Sequence, residues 1–516
     1  MSVAENPDLP PAIELRGIDK RFGAVHANRA ISFAVAKGSI HGVVGENGAG
    51  KSTLMNIVYG FHRADAGEIW IEGRRVEIHS PQDAIAAGIG MVHQHFMLVE
   101  NFTVLENVIL GVEGAWRLRG GLARARTELK ELARDYGLDV PLDAVVTDLP
   151  VGLQQRVEIL KALHRGAQVL ILDEPTAVLT PQESDQLFQL LGRLRAQNKS
   201  VILVTHKLRE IMAVTDRVTV MRQGSVVAEV ATNKTSPREL AEKMVGRAVL
   251  LQVEKSAANP GRPLLTVKDL EVRDVLGVAR LKKVSFALRA GEIVGIAGVA
   301  GNGQSELLEA LSGIRAPSHG EIWLRGRELV AGKLGPQARR QLGLSHVPED
   351  RLRMGVVAAF PAQANAILGY HYRKSYNRGW VMDRDAILAG CEKMMTDFDV
   401  RPPDPQMRLS AFSGGNQQKL VLAREINADP DVLLVGQPTR GVDIGAIEFI
   451  HRKLVALRDA GKALLLVSVE LDEIMALADR ILMMSAGEIV GEVPRAEATE
   501  EKIGLMMAGV RAGVTR

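Results

Sequence analysis

Gly45-Glu46-Asn47-Gly48-Ala49-Gly50-Lys51-Ser52-Thr53 is the stretch on which the reading of this chain turns. It follows G-x-x-x-x-G-K-[ST], the phosphate-binding loop. Its flanks fit: an apolar run ends in Ile40-His41-Gly42-Val43-Val44, and a helix-like run follows in Leu54-Met55-Asn56-Ile57-Val58. The glycines let successive N–H groups turn inward around phosphate oxygens at a helix N-terminus, where the dipole favours negative charge. Lys51 is expected to reach the β- and γ-phosphates, and the Ser52 hydroxyl to hold Mg²⁺. A glycine-rich turn opening a buried helix is the plainer alternative. All four fixed positions are filled in the right context, which favours a nucleoside triphosphate site.

Working outward, a chain of 516 residues is too long for one core and predicts two or more domains. Apolar residues at 46% and charged residues at 24% are ordinary for a soluble globular protein. Aromatics at 4% and a net charge of +3 give no sign of a nucleic-acid surface. Cys391 is the single cysteine, which excludes an internal disulfide and suits a reducing compartment. Met1-Ser2-Val3-Ala4-Glu5-Asn6-Pro7 lacks the basic start and apolar core of a signal peptide. No apolar run approaches the roughly 18 residues that cross a bilayer. Any membrane role is therefore expected to be peripheral.

The chain repeats itself. Ala30-Ile31-Ser32-Phe33 and Gly42-Val43-Val44-Gly45 recur as Lys283-Val284-Ser285-Phe286 and Gly295-Ile296-Ala297-Gly298. Arg217-Val218-Thr219-Val220-Met221 recurs as Arg480-Ile481-Leu482-Met483-Met484, with a short net insertion in between. This predicts a duplicated domain rather than a solenoid. Lys255-Ser256-Ala257-Ala258-Asn259-Pro260-Gly261-Arg262-Pro263 is polar and Pro/Gly-rich, as a linker should be. The division is a tail at 1–11, domains at 12–247 and 264–510, a linker at 248–263 and a second tail at 511–516. Each half alternates strand-like and helix-like runs, the pattern of an α/β domain with a mostly parallel sheet. Gln168 to Leu172 and Ser200 to Val204 read as buried parallel strands, with Pro181 to Asn198 helical between them. Val104 to Leu163 suggests a helical lobe, and Val218 to Val230 a hairpin turning at Gln223-Gly224.

Leu170-Ile171-Leu172-Asp173-Glu174-Pro175-Thr176 is an apolar strand ending in two acids. Asp173 can hold the Mg²⁺ shell, and Glu174 can polarise a water aimed at the γ-phosphate. Acids also end strands simply to bind solvent, but here they follow a phosphate loop. Thr205-His206 ends the next strand and puts an imidazole within reach of the γ-phosphate, or makes only a structural contact. Val92-His93-Gln94-His95 has two histidines on one strand face but no further ligand cluster, so a metal pair is the weaker reading. Gln94 itself suits a Mg²⁺ and water contact. Phe22 can stack on an adenine or serve as core.

Leu409-Ser410-Ala411-Phe412-Ser413-Gly414-Gly415-Asn416-Gln417-Gln418-Lys419 resembles the signature motif of ABC ATPases. The resemblance covers nearly the whole chain, twice. It implies two tandem P-loop ATPase domains, each a RecA-like core with an antiparallel β part and a helical lobe. In this family two such domains close head to tail, each ATP lying between one phosphate loop and the other signature. The matching positions imply Phe22 as the adenine-stacking aromatic, Gln94 as the Q-loop residue, Glu174 as catalytic base and His206 as switch histidine.

The second half departs from the pattern: Gln304 stands for Lys51, Gly436 for Asp173, Gln437 for Glu174, Val469 for His206, Glu349 for Gln94 and Val275 for Phe22. The first half is damaged elsewhere. Its signature reads Leu149-Pro150-Val151-Gly152-Leu153-Gln154, and Ala177-Val178-Leu179-Thr180 lacks the acid that Asp443 supplies. In a head-to-tail pair these losses converge. One composite ATP site would keep Lys51, Ser52, Gln94, Asp173, Glu174 and His206 with Ser413, Gly414, Gly415, Asn416 and Asp443. The other would collect the defects and hold nucleotide at most. The short linker, single cysteine and lack of heptads argue against ribosome-acting and DNA-repair members. The resemblance implies an importer ATPase at the cytoplasmic face of the plasma membrane, with two permease subunits and a solute-binding lipoprotein. Within importers it is similar to the simple-sugar group, and its second-half motifs are most similar to the nucleoside branch.

Overall fold

The computed structural model describes residues 10–507 except 24, 94–95, 112–117, 177–178, 180, 249–254, 300 and 443. The chain divides into two compact units, Met1–Val249 and Leu250–Arg516.

In the first unit, the runs of β-branched and aliphatic residues form a six-stranded sheet. Its order is Ser225–Ala231, Arg217–Arg222, Ile40–Gly45, Ser200–Val204, Val169–Asp173 and Ile89–Val92. The pairings from Arg217–Arg222 to Ile89–Val92 are all parallel, and only Ser225–Ala231 runs antiparallel. Strands Ile40–Gly45, Ser200–Val204, Val169–Asp173 and Ile89–Val92 are buried at every position, so they read as continuous apolar runs rather than alternating ones. A second sheet is antiparallel, in the order Val25–Val35, Ile13–Phe22, Ala66–Ile71 and Arg74–Val76. The segment expected to be a helical lobe holds helices Val104–Ile109, Leu118–Tyr136 and Val151–His164. The helix after the acidic strand is Pro181–Ala196. It stops before Asn198, whose φ of 59° turns the chain into the next strand.

The second unit repeats this plan. Its six-stranded sheet runs Leu344–Val347, Val432–Gly436, Ala463–Val467, Glu292–Ala297, Arg480–Ser485 and Glu488–Pro494. Its antiparallel sheet runs Ala279–Arg289, Pro263–Arg273, His319–Leu324 and Arg327–Glu328. Among the described residues, a small hairpin of Asn377–Arg378 and Val381–Met382 is found in this half alone. In each unit an aspartate carboxylate accepts the N–H that opens the loop-bearing strand: Asp216 takes Ile40 N at 2.8 Å, and Asp479 takes Ile293 N at 2.9 Å. Guanidiniums hold those acids, Arg195 on Asp216 and the fully buried Arg458 on Asp479, each at 2.9 Å.

Two buried histidines make stability depend on pH. His41 lies inside the loop-bearing strand, stacked on Phe33 and 2.8 Å from Thr219 Oγ1; burial, with the Arg217 charge beside it, lowers its pKa to about 3. Burial likewise lowers His346 to about 4. Both imidazoles are neutral in the native state, whereas the unfolded chain takes up their protons near pH 6.5. Stability is therefore complete above that pH and falls as pH drops towards the native values. At pH 5 each histidine should cost about 2 kcal/mol. Urea unfolding of wild type and His41→Gln should show their difference in unfolding free energy shifting by that amount between pH 7 and pH 5. A constant difference would contradict a neutral buried His41.

Candidate functional site

The carboxyl ends of neighbouring parallel strands are where open α/β sheets build their sites. In the first unit that edge carries the loop after Ile40–Gly45, the acids ending Val169–Asp173 and His206 just beyond Ser200–Val204. The loop runs Glu46, Asn47, Gly48, Ala49, Gly50 into the helix Lys51–Val58, whose first turn holds Lys51, Ser52 and Thr53. Gly50 has a φ of 97°, and a Cβ there would lie 2.2 Å from the Ala27 carbonyl oxygen. Only glycine fits. No side chain caps this helix, so its first N–H groups are left for a ligand.

Lys51 is buried, and its Nζ donates to the carbonyls of Gly45 at 2.6 Å and Glu46 at 2.9 Å. Burial lowers its pKa, while Glu174, Asp173 and Glu46 oppose that shift. Burial and the neighbouring Glu174 charge raise Asp173, against the Ser52 hydrogen bond and Lys51. For Glu174 burial acts upward, but the His206 bond, with the charges of His206, Lys51 and Lys207, outweighs it and the net shift is down. Glu174 Oε1 lies 2.9 Å from His206 Nδ1. Its backbone is strained at φ 47°, and its N–H donates to Val204 O at 2.8 Å. The geometry thus brings together a buried cation, a hydroxyl bonded to a carboxylate, and an ionised carboxylate oriented by an imidazole. That set can bind phosphate, hold a hard cation and take a proton from water.

Phe22 ends the strand Ile13–Phe22, 44% exposed, with His62 edge-on at 5.3 Å and Lys20 Nζ over its ring at 5.3 Å. His93 falls just outside the strand Ile89–Val92 and packs near Tyr59 and Phe61, so it is an aromatic neighbour rather than half of a strand-face pair. His95 and Gln94 lie outside the described residues, as do Ala177, Val178, Thr180 and Asp443.

The two signature segments differ as their sequences suggest. Ser413 caps the helix Gly414–Asn427, its hydroxyl accepting from Asn416 Nδ2 at 2.9 Å. Gly414 and Gly415 then keep the backbone bare. A Cβ on Gly414 would meet Arg351 Nη2 at 2.4 Å and the Gly441 carbonyl at 2.9 Å. In the first half Pro150 takes the cap position of Val151–His164 with no side-chain bond, and Val151 is 40% exposed over the helix start.

Three residues join these sites through tertiary contact, and two of them, Asn28 and Glu210, carried no signal in the sequence. Asn28 is buried and donates to Gly50 O at 3.0 Å, bracing the loop from the antiparallel sheet. Glu210 is buried on the helix Leu208–Val214 and accepts from the Thr176 hydroxyl. Arg351 reaches the Arg440 carbonyl at 2.8 Å and packs on Gly414. No local spacing marks Asn28 or Glu210, whereas Arg351 ends Pro348-Glu349-Asp350-Arg351, one of the second-half motifs similar to the nucleoside branch.

The sequence pattern of the ABC transporter family matches residues 28–177 and again 281–440. The chain belongs to the ABC transporter family. This ABC ATPase is 48% identical, over 96% of its length and 97% of the relative, to the guanosine import ATP-binding protein NupO of Bacillus subtilis. It is 45% identical to the nucleoside import ATP-binding protein NupA of Lactococcus lactis, over 96% of this chain and 98% of that one. It is also 45% identical to the glucose import ATP-binding protein TsgD13 of Haloferax volcanii, over 97% and 96% of the two chains. The ABC protein is thus an importer-type ATPase with two cassettes, consistent with the α/β units described above. Among the described residues, no helix is long and apolar enough to cross a membrane.

Proposed function

We propose that this ABC ATPase energises uptake of a nucleoside through two separate permease subunits fed by a solute-binding lipoprotein. On this reading it works as a peripheral subunit on the cytoplasmic face of the plasma membrane. The observation that carries the solute class is the near-full-length match to a guanosine import protein at 48% identity. The loss of both acids at Gly436-Gln437 supports the nucleoside branch over the sugar branch.

Within the first unit, Lys51 and the loop hold the triphosphate, and Ser52, Asp173 and Gln94 hold Mg²⁺. Glu174 is the base that His206 orients, and Phe22 is the adenine platform. The donor set fits a hard cation. A hydroxyl already bonded to a carboxylate, beside a loop that would hold a nucleotide's phosphates, is the few-ligand arrangement Mg²⁺ takes with nucleotides. Held by Ser52, Asp173 and Gln94, Mg²⁺ would supply positive charge against the negative charge that develops on the phosphates. Ser413, Gly414, Gly415, Asn416 and Asp443 complete the one competent site in a head-to-tail arrangement of the two halves.

Coupling to the permease is supported by a groove of about 220 Å³ on the first unit, lined by Tyr59, Phe61, Ile85, His93, Met97 and Lys161. Among the described residues, Glu158 Oε1, with Lys161 Nζ at 3.8 Å, and Arg165 Nε are buried beside it without a hydrogen bond, which suits a partner that brings polar groups. Nucleotide-driven closure would pass through this face to the membrane helices.

The complex reconstituted with its permeases and binding protein should show ATPase stimulated severalfold by guanosine or another nucleoside, and not by glucose or ribose. Stimulation by a sugar alone would assign it to the sugar importers instead.

A further inference from the structure

The second unit keeps the shape of the phosphate loop without its charge. Gly301 and Gly303 have φ of 89° and 107°, against 81° and 97° for Gly48 and Gly50. Gln304 Nε2 donates to Val299 O at 3.0 Å, the position of the Glu46 carbonyl that Lys51 Nζ contacts at 2.9 Å. A neutral amide thus holds the cradle in the lysine's place.

The carboxylate has moved rather than vanished. In the first unit the loop hydroxyl of Ser52 is hydrogen-bonded to Asp173, at the end of Val169–Asp173. In the second, Ser305 donates its hydroxyl proton to Glu349 Oε2, which comes from beyond the adjacent parallel strand, Leu344–Val347. Gly436, where the lost aspartate would stand, makes the room. A Cβ on Gly436 would lie 2.6 Å from Glu349 Cγ and 2.9 Å from Glu349 N. The aspartate and the inserted glutamate are therefore mutually exclusive.

Gln437 then fixes the newcomer. It shares the φ of 47° found at Glu174 and donates the same strand bond, N–H to Val467 O at 2.8 Å. Its side chain hydrogen-bonds Glu349 and accepts Val469 N at 3.3 Å. A hydroxyl oxygen with its proton committed to a carboxylate presents its lone pairs outward, which is how this loop residue serves a cation.

We propose that Glu349 is the divalent-cation carboxylate of a second Mg²⁺–nucleoside triphosphate site, working with Ser305 and made possible by Gly436. The proposal rests on the reading of Ser52 and Asp173 as cation-holding residues. The site binds without turning over, because the Gln437 amide cannot accept a proton from water and Val469 offers no imidazole.

The test uses the full chain with ATP and Mn²⁺, counting bound Mn²⁺ by electron paramagnetic resonance. Wild type should bind two Mn²⁺–ATP. Asp173→Asn should lose the first-half site and Glu349→Gln the other, each weakened at least roughly tenfold. Gly436→Ala should mimic Glu349→Gln by displacing the glutamate. Retention of both cations in Glu349→Gln would overturn the proposal. So would a wild type with one site that Asp173→Asn alone removes. If Asp173→Asn leaves both cations while Glu349→Gln removes one, the first-half reading fails and the relocated carboxylate stands.

Discussion

Glu174→Gln is expected to lower ATP hydrolysis by roughly 10²–10⁴ and leave ATP binding in place. That factor corresponds to about 3–5 kcal/mol of barrier. Glu174 is the acid whose ionised form the His206 bond sustains, and its strained backbone fixes the direction in which the carboxylate points. An amide of the same shape keeps the packing but has no oxygen basic enough to take a proton. The chain itself shows that glutamine is tolerated there: Gln437 has the same φ and the same bond to the neighbouring strand. Loss of turnover would therefore not be a folding defect. Phosphate release and ATP retention, both measured on the permease complex, decide it. Turnover within threefold of wild type would remove Glu174 from the base role. The reverse change, Gln437→Glu, should not add a second active site, since Val469 cannot orient the new acid and Gln304 brings no charge to the phosphates.

On the proposed pairing of the halves, Ser413→Pro should cost a further large factor, roughly 10²–10³ in hydrolysis, by removing the hydroxyl and N–H that would face the triphosphate. The backbone permits the change. Ser413 sits at φ −62° and ψ 157°, and Pro150, its counterpart, at φ −54° and ψ 149°. Stability should fall only by about 1 kcal/mol, the usual worth of a helix cap. A thermal scan showing a small shift, together with a collapse in phosphate release, would place Ser413 in the working site. On the proposed pairing of the halves, Pro150→Ser should leave turnover unchanged, because the signature of the first half would not be the one that serves the intact loop. Near-normal hydrolysis by Ser413→Pro would exclude the pairing of intact loop with intact signature.

The duplication, the α/β character and the loop Gly45 to Thr53 were legible because they are local. A phosphate loop is one continuous segment, its strand and helix adjoin it, and an apolar run ended by Asp173-Glu174 needs no partner to be read. The asymmetry between halves was legible for the same reason, as single-residue replacements at matched positions. The resemblance of Ser413-Gly414-Gly415-Asn416 to an ABC signature then supplied the family that the comparisons establish.

What adjoined only in space was not legible. Asn28 braces Gly50 from another sheet, and Glu210 binds Thr176 from a helix further along the chain. From sequence alone, Gly436 is a lost carboxylate and Glu349 an unrelated change. Only the packing of two neighbouring parallel strands shows that one vacates the volume the other fills. Sequence alone thus determined which chemical groups each half carries. The tertiary structure decided which of them share a site, because a carboxylate's role depends on where its oxygens end up, and steric exclusion between strands sets that position.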